Sequence, residues 1–190
     1  MGKIYKDLDK TGPRVKAVLA ELKKKENEGY QYEVAQGSFE LLAARIIEDY
    51  KPPFTVGGFR VISDRRKVGA MVNEATIKLI VDDAEEHTAG EGDGPVDALN
   101  DALRKALERF YPEISSVYLE DYKVRVLDTS EGTEAKVRVL IESTDGVDVW
   151  GTVGVSENVI EASYIALVDS LAYKLVLGKR KAKHKSGKQP

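Results

Sequence analysis

The residues best placed to do chemistry lie between Thr88 and Leu107, in the stretch TAGEGDGPVDALNDALRKAL. Gly90, Gly92 and Gly94 alternate up to Pro95, and an apolar stripe at helical spacing follows. Proline suits the first position of a helix, where its missing N–H is not needed. Gly94 is then the N-cap, with no side chain to satisfy the free amides of the first turn. A bare helix end behind a glycine-rich turn receives anions readily. Glu91 and Asp93 repel a polyphosphate, so the charges favour a small zwitterion, its carboxylate on the helix end and its ammonium on an aspartate. The plainer alternative is a tight strand-to-helix turn with no ligand.

Other chemistry is scarce. There are no cysteines, which excludes disulfides, thiolate catalysis and cysteine-ligated metals. Of the two histidines, His184 falls in a polar ending, so any acid–base or metal site must use His87 with Asp82, Asp83, Glu85 or Glu86. That acidic run reads more simply as a solvated turn, and neither metal nor cofactor is expected. The 190 residues, 42% hydrophobic and 32% charged, are ordinary for a soluble globular chain of one large or two small domains. No apolar run approaches the roughly 20 residues of a membrane span, and MGKIYKDLDK is no signal peptide, so a cytoplasmic location is expected. The net charge of −3 conceals seven basic residues from Lys174 onward, with 22 basic against 32 acidic residues before them. An acidic body argues against a nucleic-acid partner. Residues 179–190 read as a disordered basic tail.

The elements that must position the glycine turn follow from periodicity. Residues 13–26 predict a helix, with Pro13 at its start, Val15, Val18, Leu19 and Leu22 on one face and Gly29 beyond its end. A second helix is expected from Ser38 to Tyr50, stopped by Pro52 and Pro53. Residues 1–54 thus form a helical linker subdomain. From Thr55 the period falls to two: strands are expected around Phe59–Ser63, Ala75–Val81 and His87–Gly90, before the helix that follows Pro95. The order then restarts, with strands at Val117–Asp128, Ala135–Glu142 and Val147–Val153 and a helix from Glu157 to Leu175.

This is an internal repeat. Thr88, Gly90, Ala98, Ala102, Leu103 and Leu107 recur 64 positions on as Thr152, Gly154, Ala162, Ala166, Leu167 and Leu171. Phe59-Arg60-Val61-Ile62 matches Val124-Arg125-Val126-Leu127 at an offset of 65, and Ala75 matches Ala135 at 60. The expected fold is α+β, two βββα units at about 55–111 and 116–176 within a domain at 55–178. Between the copies, Gly92 becomes Ser156 and Gly94-Pro95 becomes Asn158-Val159. Ser156 is expected to cap its own helix, which leaves only the first helix end open.

The βββα pair, the motif GEGDGPVDAL and the segment EGYQYEVAQGSFELL together resemble the C-terminal regulatory (allosteric, dimerisation) domain of the 2-isopropylmalate synthase and citramalate synthase family. The segment matches the linker of the citramalate-synthase-like branch, and the resemblance covers about residues 14–178. It implies a parent acyltransferase whose (β/α)8 barrel condenses acetyl-CoA with a 2-oxo acid, and 190 residues leave no room for that barrel. The chain is then a regulatory fragment without catalytic activity. The resemblance also implies a homodimer that binds leucine or isoleucine at its interface for feedback inhibition. Gly92, Asp93, Gly94, Val96 and Asp97 fall on the family's effector motif. Gly94 and nearby amides would face the carboxylate, Asp93 or Asp97 the ammonium, and Val96 the side chain. Thr129, Gly132, Ala135 and Val137 would form the other wall. The runner-up is a ligand-free module that assembles two barrels.

Overall fold

A computed structural model describes residues 12–65, 69, 71–127 and 135–186, with side chains as far as 176. Two N-terminal helices, α1 (Pro13–Asn27) and α2 (Gln36–Ile47), precede β1 (Thr55–Arg65), β2 (Met71–Val81), β3 (Ala84–Gly92) and α3 (Pro95–Glu108). A 3-10 turn, Pro112–Ser116, leads to β4 (Tyr118–Leu127), β5 (Lys136–Thr144), β6 (Val149–Ser156) and α4 (Val159–Ser186). Each group of three strands is one sheet in sequence order, and β1–β2 and β2–β3 pair antiparallel. This is the expected pair of βββα units behind a helical start. Two compact units result: one joins the N-terminal helices to most of the second repeat, and the other contains the first repeat. Among the described residues, no helix is long and apolar enough to cross a membrane.

Some boundaries differ from expectation. α2 stops at Ile47 rather than Tyr50, because Asp49 turns left-handed (φ 51°) and the Tyr50 N–H folds back on the Ala44 carbonyl at 3.2 Å. α4 runs on to Ser186, so the tail expected to be disordered from 179 is helical through that residue. Asp82 and Asp83 both take positive φ and make a two-residue hairpin turn, whereas Asp145–Asp148 spans four residues.

In the first repeat, α3 lays Ala98, Leu99, Ala102, Leu103, Ala106 and Leu107 on the buried side of β2, at Ala75, Ile77, Leu79 and Val81. Each fully buried leucine contributes about 1.5–3 kcal/mol. The helix approaches very closely. A Cβ on Gly90 would lie 2.3 Å from the Ala102 nitrogen, and one on Gly154 would lie 2.0 Å from the Ala162 oxygen. Beside these glycines, Thr88 donates to the Ala102 carbonyl and Thr152 to the Ala166 carbonyl, both at 2.8 Å. The repeat is therefore preserved to the level of single hydrogen bonds.

The N-terminal helices share a small core of Val18, Ala43 and Ile47, to which Phe39 and Ile46 add. Their connection and the first turn of α2 cover the free edge of β6. Ser38 Oγ accepts the Val153 N–H at 3.0 Å, the Tyr30 hydroxyl accepts that of Val155, and Arg138 donates to the Gly29 carbonyl and to Gln31. The Val34 carbonyl passes so near that a Cβ on Gly151 would lie 2.1 Å from it. Side chains thus replace a fourth strand, while the β3 edge carries Glu85 and Glu86, charges that discourage pairing.

Asp169 of α4 is nearly buried beneath α2, where Arg45 donates to it at 3.2 Å and Ser38 also bonds it. Burial pushes its carboxyl pKa up, against the opposing pull of Arg45 and Ser38. The folded state then holds this proton more tightly than the unfolded chain. The resulting stabilisation is full below the unfolded pKa and is lost as pH rises through the folded one. Asp169→Asn keeps the shape and does not ionise. Its thermal midpoint relative to the parent is expected to rise as the pH is raised from about 4, the ordinary aspartate value, toward neutrality. A constant difference across that range would reject the account.

Candidate functional site

The loop Gly92–Gly94 joins β3 to α3, and its glycines differ in what surrounds them. A Cβ on Gly92 would lie 2.5 Å from the Ala98 nitrogen and 2.6 Å from Asp97 Oδ2. Close packing therefore accounts for Gly90 and Gly92. Gly94 differs: its φ is −140°, open to any residue, and a Cβ there would meet nothing within 4 Å. It is the N-cap of α3, Pro95 is the first helical residue, and no side chain caps the helix. The first intrahelical bond is Ala98 N–H to the Gly94 carbonyl at 3.0 Å. The amides of Val96 and Asp97 face outward with no acceptor among the described residues.

The corresponding end of α4 is closed. Asn158 Oδ1 accepts from Ile160 N–H at 2.8 Å and from Glu161 N–H at 3.4 Å. The cap is Asn158, not Ser156 as expected; Ser156 Oγ instead accepts the Asn158 N–H at 3.2 Å. The two helix ends therefore differ at one equivalent position, since Asn158 stands where the first repeat has Gly94.

Two α3 carboxylates organise the turn itself. Asp97 Oδ2 accepts the Asp93 N–H at 3.1 Å, and Asp101 Oδ2 accepts the Glu91 N–H at 3.2 Å. From below, Asn73 of β2, 4% exposed, donates Nδ2 to the carbonyls of Asp93 at 3.0 Å and Gly92 at 3.4 Å. Its Oδ1 accepts from Ser63 at 2.7 Å. Asn73 was missed in the sequence, where its signal is a polar residue on the core-facing side of a strand that otherwise alternates through Ala75, Ile77 and Leu79. Asn73→Ala leaves two carbonyls and a hydroxyl short of a partner. It is expected to cost about 1–3 kcal/mol in urea unfolding; no measurable loss would show that the loop is held by something else.

Of the expected site residues, Gly92, Asp93, Gly94, Val96 and Asp97 are together here, with Asp93 and Asp97 exposed and the other three half-buried. Thr129 and Gly132 lie outside the described residues. Ala135 is exposed just before β5 and Val137 is half-buried on it. His87 is exposed on β3, and among the described residues no group of acidic residues and histidine is arranged to hold a metal.

A doubled βββα module with one open and one capped helix end defines the architecture. Residues 33–175 match the LeuA allosteric (dimerisation) domain, and the chain belongs to that family. It is 52% identical over 174 residues to the (R)-citramalate synthase of Aquifex aeolicus, covering 90% of this chain and 32% of that protein. It is likewise 52% identical over 169 residues to the (R)-citramalate synthase of Geobacter sulfurreducens, covering 88% and 32%. Against the 2-isopropylmalate synthase of Aquifex aeolicus the identity is 36% over 125 residues, 66% of this chain and 22% of that protein. The chain spans about a third of the length of the citramalate synthases it matches.

Proposed function

We propose that this chain is the regulatory part of a citramalate or 2-isopropylmalate synthase-type enzyme. Its first repeat binds a branched-chain amino acid, isoleucine or leucine, between two copies of the chain, and binding inhibits an attached catalytic barrel. The observation that carries this reading is Gly94. Packing explains Gly90 and Gly92, but neither packing nor backbone conformation requires glycine at 94, and the twin position is a capping asparagine. Leaving out that cap keeps two amides and the space before them available for a carboxylate. The exposed Asp93 and Asp97 carboxylates supply partners for an ammonium, and Val96 supplies apolar surface. Asp97 would exchange the Asp93 N–H for the ligand as it does so. Inhibition at a distance then follows if the effector binds one arrangement of the dimer better than another.

The test is calorimetric titration of the chain with isoleucine, leucine and valine, with sedimentation to establish the oligomer. Saturable binding of one amino acid by a dimer supports the reading and identifies the effector. A folded dimer that binds none of them overturns the sensor. That result would favour a ligand-free assembly module, a reading supported by the exposed Val124 and Val126 on edge strand β4.

A further inference from the structure

A cavity of about 430 Å³ opens where the N-terminal helices meet the second repeat. It is lined by Lys25, Glu28 and Tyr30, by Lys136 at the start of β5, by Ser156 at the end of β6 and by Glu157 just beyond it. By the offset of 64, Ser156 and Glu157 are the counterparts of Gly92 and Asp93. The place in the repeat is the same, but here Lys25 and Lys136, from other elements, share the lining.

The hydrogen bonds show what the cavity has left to offer. The Tyr30 oxygen already accepts from Val155 N–H, and Ser156 Oγ accepts from Asn158 N–H at 3.2 Å. Each oxygen is therefore engaged, while neither hydroxyl proton has an acceptor among the described residues. Burial raises the Tyr30 pKa, so its phenol remains a donor at neutral pH. Lys25 binds Glu28 at 2.7 Å and lies 4.9 Å over the Tyr30 ring. Lys136 makes no ion pair among the described residues, and it is near enough to help hold the Glu28 carboxyl below its usual range, after the larger effect of Lys25. Lys136 and the two hydroxyls, all half-buried, keep donors to spare, while the carboxylate beside them that no lysine engages, Glu157, is exposed to solvent, an arrangement that favours an anion inside the cavity. Glu28 and Glu157 balance the two lysines, so there is no surplus positive charge for a polyphosphate.

We propose that this cavity is a binding site for a small oxyanion, a carboxylate or a phosphate, held by Lys136 and Lys25 and by the hydroxyls of Tyr30 and Ser156. It is separate from the first-repeat loop and does not depend on that loop binding anything. The module then has one anion-receptive turn in each repeat. In the first, backbone amides do the binding; in the second, lysines and hydroxyls do.

The experiment is an amide NMR titration of the whole chain at constant ionic strength, with inorganic phosphate in one series and propionate in the other. Saturable shifts at the Val155, Ser156 and Glu157 amides are expected in at least one series, and the series that saturates identifies the anion. Lys136→Met is expected to weaken that binding at least about tenfold, and Lys25→Met comparably, in folded protein. Shifts that stay linear with both anions overturn the proposal, as does saturation that neither variant alters.

Discussion

Gly154→Ala is expected to lower stability by about 3 kcal/mol or more, one of the largest effects of any single methyl added to this chain. The new carbon would lie 2.0 Å from the Ala162 carbonyl oxygen and 3.0 Å from the Ala166 nitrogen. These are backbone atoms of a helix and cannot swing aside. Either α4 is pushed off β6, with loss of packing at Val153 and Leu167, or the strand distorts. Gly90→Ala is expected to behave alike in the first repeat, since its Cβ would meet the Ala102 nitrogen at 2.3 Å and the Ala98 oxygen at 2.6 Å. For a chain of this size, a loss of 3 kcal/mol lowers the thermal midpoint by about 6–12 °C. Gly94→Ala is the internal control, with open space around the added carbon. Thermal and urea unfolding of the three variants check the set. If Gly90→Ala or Gly154→Ala unfolds within about 0.5 kcal/mol of the parent, the helix does not approach the strand as closely as the structure has it.

The second large effect concerns ligand binding rather than folding. Gly94→Asn transplants the cap of α4 onto α3, and the amide oxygen at position 94 then takes the N–H groups on which the proposed carboxylate depends. A gain of a few tenths of a kcal/mol in stability is expected, together with at least about a tenfold loss in affinity for the branched-chain amino acid. Opposite signs for folding and binding are what separate this variant from mere damage. Asp93→Ala removes one of the partners proposed for the ammonium and is expected to weaken binding without unfolding the chain. Calorimetry on the variants beside the parent decides the matter. If both bind the effector as the parent does, the site lies elsewhere, even if the parent proves to be a sensor.

Most of what depends on near neighbours could be read directly from the order of residues. Period-two strands, period-3.6 helices, the 64-residue offset and Pro95 behind Gly94 are local patterns, and the elements fall where those patterns put them. The bare end of α3 was legible for the same reason, because a cap is a matter of one or two adjacent residues. Even at that range two details depended on the folded geometry. An asparagine at the N-cap won over a serine two residues earlier, since its side chain reaches the amides of Ile160 and Glu161. Helical geometry also carried α4 past residue 179, where the charge run alone had suggested no structure.

Which glycines are glycine for packing, and which is not, depends on how the helix lies against the sheet. The three look alike in the string GEGDG, and they differ solely in what lies beyond the Cβ each lacks. The tertiary structure also decided that Asn73 holds the loop 19 and 20 residues further on, and that Ser38 and Tyr30 finish the edge of a strand more than a hundred residues away. Such contacts are set by how sheets and helices stack. No periodicity encodes them, because each is a meeting of side chains whose separation along the chain bears no relation to their separation in space.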